Sequence, residues 1–386
     1  GIVRGGVIYQ DWGGNSYTTC LVGNGDVGIT GNGAISTSDA LGGAIYTNSS
    51  LQIANNNSVL LRGNYEQQGS DYRLRSIYAG GRGDAISLSA AAGKSIEFRD
   101  SVYIASGSTV NLNADYTYLD EAGESVTIRQ TGDIIFTGAD TEQHLNDLLE
   151  AAGAGRTATA QEILNSRTTE VCAMSNLYGG RLRVEGGAVL KTSAGLTVAE
   201  DSNATVKIDN AELDAGTSDI AIGATGRLEL SNGAIVRANE IIIDDEATLA
   251  LSCSELQTRA TFALSEAVAA GTTAYNTGNT VVIDGDLTLN GGATLVADNA
   301  HFIMTEGSVL TINASDEKKI NLVLTLGTVY EPDVPITLFT GVESMRFIYN
   351  GTELTDSAAV NPGDFFTGAW INESTTFTYD AEAGTF

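Results

Sequence analysis

The sequence predicts an all-β protein, a right-handed parallel β-helix (solenoid) with a short helical insertion and a small C-terminal β cap. Three observations lead there. The 386 residues hold 45 glycines and only 3 prolines. Short runs of Ile, Val, Leu and Thr are punctuated by Asn, Gly, Asp and Ser, which suits many strands closed by tight turns, because Gly and Asn reach left-handed backbone angles. And the chain resembles itself at two recurring spacings, the mark of stacked repeats.

The first repeat is N-terminal. Asn24-Gly25-Asp26-Val27-Gly28-Ile29-Thr30-Gly31-Asn32 matches Asn56-Asn57-Ser58-Val59-Leu60-Leu61-Arg62-Gly63-Asn64 at an offset of 32, and Gly5-Gly6-Val7-Ile8-Tyr9 returns as Gly42-Gly43-Ala44-Ile45-Tyr46, with Ile77-Tyr78 later. Each unit pairs a turn with a short strand. From about residue 180 a second pattern places apolar residues at positions 1, 3 and 8 and a small residue at 6. It fits Leu182/Val184/Gly187/Val189, Val206/Ile208/Ala211/Leu213, Leu228/Leu230/Gly233/Ile235 and Phe302/Met304/Gly307/Val309, and Leu287/Leu289/Gly292 with Leu295 slipped by one. Alternation at the first two positions gives a strand with one face inward, and the small residue marks a corner. The first three copies start 24 and 22 residues apart, about one coil of a parallel β-helix, in which stacking buries ladders that no single coil can bury alone.

One segment breaks the pattern. Asp140 with Gln143 reads as a capping-box-like helix start; Leu145, Leu148 and Leu149 share a helical face; Gly153 stops the helix; Thr159 with Glu162 caps a second run containing Ile163 and Leu164. Residues 140–167 are therefore expected to be helical, bulging from one coil of a solenoid that covers residues 1–330. Beyond that the repeat fades into runs such as Ile336–Phe339 and Thr375–Tyr379, with Pro362 and Trp370 between them. Residues 331–386 are expected to form an antiparallel cap over the open end.

Hydrophobic residues make up 42% of the chain, enough for a continuous core. The net charge of −28, from 48 acidic and 20 basic residues, would repel nucleic acid and anionic membranes and keeps a strand-rich surface soluble. No apolar stretch reaches the 18 residues of a membrane span, and no signal peptide opens the chain. An excised mature region, not inserted in a membrane and monomeric, is expected. Cys20, Cys172 and Cys253 lack zinc-site or redox spacing and read as core residues or, at most, one disulfide and one free thiol.

These repeats carry a resemblance. Gly42-Gly43-Ala44-Ile45 resembles the GGA(I/L/V) tetrapeptide, and Ile29-Thr30-Gly31-Asn32 and Leu61-Arg62-Gly63-Asn64 resemble FxxN, the two short repeats of the chlamydial-type polymorphic outer-membrane proteins. Ile96-Glu97-Phe98-Arg99-Asp100, Ile134–Gly138, the helical insertion and Leu182–Ala188 follow in the order seen in such passengers. The match covers roughly residues 1–240; only one GGAI is intact, neither FxxN-like copy has its Phe, and no barrel strands are visible. The resemblance implies an autotransporter passenger domain, exported across two membranes, displayed on the cell surface and used in adhesion. Asn32 and Asn64, with the Gly42–Ile45 tetrapeptide, would then be structural repeat positions.

Chemistry-bearing residues are dispersed. His144 and His301 have no metal-ligand partner at useful spacing, and no cofactor motif occurs. Asp209 with Asp214, and Asp244 with Asp245, are pairs that could serve acid–base work or calcium, with turn-forming Asp as the plain alternative. Gly93-Lys94-Ser95 ends like a phosphate loop, but Leu88 stands where its first glycine belongs. G-x-S-x-G and H-E-x-x-H are absent. Arg82-Gly83-Asp84 is a tripeptide that integrins read on an exposed turn. A non-catalytic adhesin or scaffold, binding a host glycan or protein along an extended face, is expected; the other reading is a polysaccharide-acting β-helix enzyme with clustered Asp residues.

Overall fold

A computed structural model describes residues 3–10, 18–23, 25–80, 85–199, 202–252, 281–298, 302–305, 307–325, 339–354 and 360–368. The chain forms two compact units, Gly1–Leu196 and Thr197–Phe386. Each is a parallel β-helix whose coils have three strand-bearing faces.

In the first unit, one face stacks Ile8–Gln10, Ile45–Thr47, the end of Asp71–Ala79, Ser101–Ile104, Thr168–Val171 and Val189–Thr192, each parallel to the next. A second stacks Thr18–Val22, Ser50–Ala54, Ala85–Ser89, Thr109–Leu112 and Met174–Leu177. The third stacks Asp26–Thr30, Ser58–Arg62, Ser95–Phe98, Asp133–Thr137 and Arg181–Glu185. The register is the one the first repeat predicts: Val27 pairs with Val59 and Ile29 with Leu61, while Ile8 and Ile77 both pair with Ile45. Inward positions thus align into apolar ladders, among them Phe98 stacked on Phe136 with ring centroids 5.0 Å apart. The interior is tight, with a void of about 10 Å³ beside Phe136 and Leu182, room for no more than about one water.

The alternate positions make an outward ladder. Tyr9, Tyr46, Tyr78 and Tyr103 stack in succession at 5.4, 5.7 and 4.7 Å. In the second unit, Thr205–Asp209, Arg227–Ser231, Thr248–Ser252, Thr294–Asp298, Ile320–Thr325 and Phe366–Thr367 stack in parallel. The long strands Ile235–Ile243 and Val281–Asn290 each supply two faces by bending at an irregularity that falls after Arg237 in the first. Parallel pairing continues beyond residue 330 into Phe339–Thr340 and Ser344–Tyr349; the latter then turns back on Thr352–Leu354 as an antiparallel hairpin. Thr375–Tyr379 and Trp370 lie outside the described residues.

The second repeat needs one correction. Leu182, Val184, Val206, Ile208, Leu228 and Leu230 are fully buried as expected, but Val189, Ile235 and Val309 are only half-buried; their neighbours Leu190, Val236 and Leu310 enter the core. The cause is turn length. Where one left-handed residue, Asn210, makes the corner, Ala211 points in and Leu213 follows; where two do, as at Asn232-Gly233, the inward small residue moves to Ala234 and the next apolar one to Val236. One extra residue reverses strand parity.

The insertion forms two helices, α1 (Thr141–Ala151) and α2 (Ala160–Arg167). Asp140 does not cap α1 as expected: its side chain makes no cap hydrogen bond and pairs with Arg99 instead, since a full ion pair outcompetes a single amide there. Gly153, at φ +68, ends α1 in a Schellman arrangement, with Gly153 N–H to Glu150 O and Ala154 N–H to Leu149 O. The Thr159–Glu162 capping box is formed in both directions. Leu145 and Leu149 are buried against Tyr72 and Leu74, with Leu148 and Ile163 packed alongside; Leu164 is exposed. Among the described residues no helix is long and apolar enough to cross a membrane.

Candidate functional site

The surface those helices pack on is a hairpin. Tyr65–Gln68 runs antiparallel to the start of Asp71–Ala79, turned at Gly69-Ser70, so that Glu66 faces Arg73 and Tyr65 faces Leu74. Alternation sends Tyr72 and Leu74 toward α1 and leaves Glu66, Gln68, Asp71, Arg73 and Arg75 on the other side. There, with α2, they line a cleft of about 580 Å³.

The tetrapeptide Gly42–Ile45 seats this hairpin. Ala44 and Ile45 are in the core. Gly42 takes φ +67 and its N–H donates to Glu66 Oε1 at 2.7 Å. A Cβ on Gly43 would lie 2.4 Å from Tyr65 N and 2.7 Å from Arg75 O, so only glycine lets these backbones meet. The Asn residues fix the hairpin's base: Asn32 donates through both N–H and Nδ2 to Asn64 Oδ1, and Asn64 Nδ2 donates to Ile29 O. Buried Asp100 completes the network, accepting from Gly63 N–H, Asn64 N–H and the Ser76 hydroxyl at 2.8, 2.9 and 2.7 Å. Desolvation pushes its carboxyl up, against those hydrogen bonds.

On one cleft wall the Arg75 guanidinium pairs with Glu66 at 3.1 Å, both nearly inaccessible, and lies 5.4 Å from the Tyr103 ring centre. Burial raises the Glu66 carboxyl despite that partner. Arg75 Nε is left with no acceptor. On the opposite wall Arg156 grips Glu162 with two 2.8 Å bonds and donates to Ser70 O. Glu162 also accepts from Thr159 N–H and from Tyr72 N–H, and the Arg156 hydrogen bonds are the largest cause of a carboxyl held down to about 2. Ser166 Oγ accepts from Leu74 N–H. The hairpin's outer edge is thereby closed by α2 side chains. Arg73 lies opposite Glu66 in the hairpin and lines the same cleft. It makes no hydrogen bond or ion pair among the described residues, and burial together with the like charge of Arg75 lowers its pKa.

Other sequence candidates are not drawn together. Arg82, Gly83 and Asp84 lie outside the described residues, as do His301 and Cys253. His144 Nε2 accepts from Arg62 while its Nδ1 is buried without a partner, and burial lowers its pKa. Asp209 accepts from Asn232 Nδ2, Asp214 from Gly216 N–H, Asp244 from Asn290 Nδ2, and Asp245 pairs with Lys318. They are turn acids tied to separate neighbours. No group of three His, Cys, Asp or Glu suited to a metal occurs among the described residues. Cys20 and Cys172 are free thiols; Cys20 is exposed rather than in the core, because it occupies an outward position of Thr18–Val22.

No family model, curated protein or solved structure matches the chain.

The cleft residues carry no repeat signature of their own: of residues 65–79 only Ile77-Tyr78 aligns with the repeat. One local signal was present: Gly69-Ser70 followed by the alternating run Tyr72-Arg73-Leu74-Arg75 reads as a turn into a strand.

Proposed function

We propose that this chain is a non-catalytic cell-surface passenger of the polymorphic outer-membrane protein type, an adhesin or scaffold that binds a host glycan or protein, with recognition centred on the insertion cleft. One observation carries the reading. The cleft's two buried carboxylates, Glu66 and Glu162, are spent on fixed protein partners, both oxygens of each, while the cleft itself stays open and keeps an unpaired guanidinium. General acid–base work needs a proton carrier free to meet the substrate; binding needs only the open, preorganised surface. The outward tyrosine ladder fits the same reading, because rings stacked on one another spend their faces internally and stiffen the coil face without forming a sugar platform.

A polysaccharide-acting enzyme is the second reading. Two carboxyls displaced in opposite directions within one cleft, Glu66 upward and Glu162 downward, are the observation in its favour. Beads coated with the full chain and presented to host epithelial cells test the first reading. Retention that heat-unfolded chain does not reproduce supports it; no retention overturns it.

A further inference from the structure

We infer that the cleft takes a carboxylate-bearing sugar, with the acid group on the Arg73 guanidinium. This rests on the cleft being the binding locus and names its ligand class. The cleft's three guanidinium groups are unequal. Arg75 is paired to Glu66 and Arg156 to Glu162, so Arg73 is the cation left for an incoming anion. A planar guanidinium meets a carboxylate with two parallel hydrogen bonds.

The surroundings narrow the class. Gln68, Ser70, Thr159, Gln161 and Asn165 rim the cleft with amides and hydroxyls, matching a polyhydroxylated ring, and about 580 Å³ holds one or two sugar residues. An extended polyanion is disfavoured by the chain's net charge of −28. An acidic peptide adding itself as a strand is blocked, because the edge amides of Tyr72 and Leu74 are already taken by Glu162 and Ser166.

The test is calorimetric titration of the full chain with glucuronic acid, N-acetylneuraminic acid, glucose and tetraglutamate. Either acidic sugar should bind, glucose and tetraglutamate should not, and Arg73→Gln should weaken acidic-sugar binding on the order of tenfold or more. Arg73→Lys should keep part of it. The Arg73 side chain is half-buried but has no hydrogen-bond or ion-pair partner among the described residues, so both variants should melt close to the parent chain. Glucose binding as tightly, tetraglutamate binding in place of the sugars, unchanged binding by Arg73→Gln, or no acidic-sugar binding each overturns the inference. If bead retention on cells persists in those cases, the adhesin reading survives the loss of its ligand class; if retention is also absent, both fall.

Discussion

The Glu162 carboxylate accepts the backbone N–H of Tyr72 at 3.1 Å, joining residues ninety positions apart. The same carboxylate caps α2 and holds Arg156. One side chain therefore docks the insertion, closes the strand edge and shapes the cleft.

That role carries a pH signature. The Glu162 pKa lies at about 2, below its ordinary 4.5. The stability it contributes is complete above the ordinary value and is lost as pH falls toward 2. Glu66 and Asp100, both raised, act in the opposite sense: they favour the fold at low pH and lose that contribution as pH rises. Glu162→Gln should cost about 2–3 kcal/mol at pH 7, and its denaturation midpoint should change less than the parent's between pH 4.5 and 2. Parallel curves for the two proteins would contradict the assignment.

Asp100→Ala would strip acceptors from Gly63 N–H, Asn64 N–H and the Ser76 hydroxyl in a buried site. A loss of about 3 kcal/mol is expected in urea denaturation. A cost near zero would mean that water enters and replaces the carboxylate.

Gly43→Ala should destabilise strongly, because the atoms its Cβ meets, Tyr65 N and Arg75 O, are backbone and cannot move aside. Gly25→Ala, with nothing within 4 Å of its Cβ, is the matched control and should be near neutral. Equal melting of the two variants would remove the seating role of the tetrapeptide.

Val184→Asp and Leu228→Asp each place a carboxylate in a fully buried ladder, one per unit. More than about 4 kcal/mol should be lost in either case, visible as protease sensitivity around the substituted coil. Retained resistance would mean these positions face out.

Much of the fold was legible because stacking forces like residues onto like: the 32-residue offset is a real pairing register, and Ile8, Ile45 and Ile77 meet as the sequence aligns them. Turn length was harder to read. Whether Val189 or Leu190 points inward depends on how many residues the corner holds in the left-handed region, which hydropathy does not encode. The cleft was the least legible, since it joins Glu66 and Arg73 to Arg156 and Glu162 across an insertion. Hydrogen bonds such as Ser166 to Leu74 span 92 residues and leave no local pattern.

The most direct measurement places the parent chain and Gln161→Trp, which fills the cleft from an exposed rim position, on an array of glycans and matrix proteins, with released reducing sugar assayed in the same wells. Retention by the parent, loss of retention in the filled variant, and no sugar release are expected. Sugar release, or equal retention by the filled variant, would contradict the account of the cleft as a non-catalytic binding site.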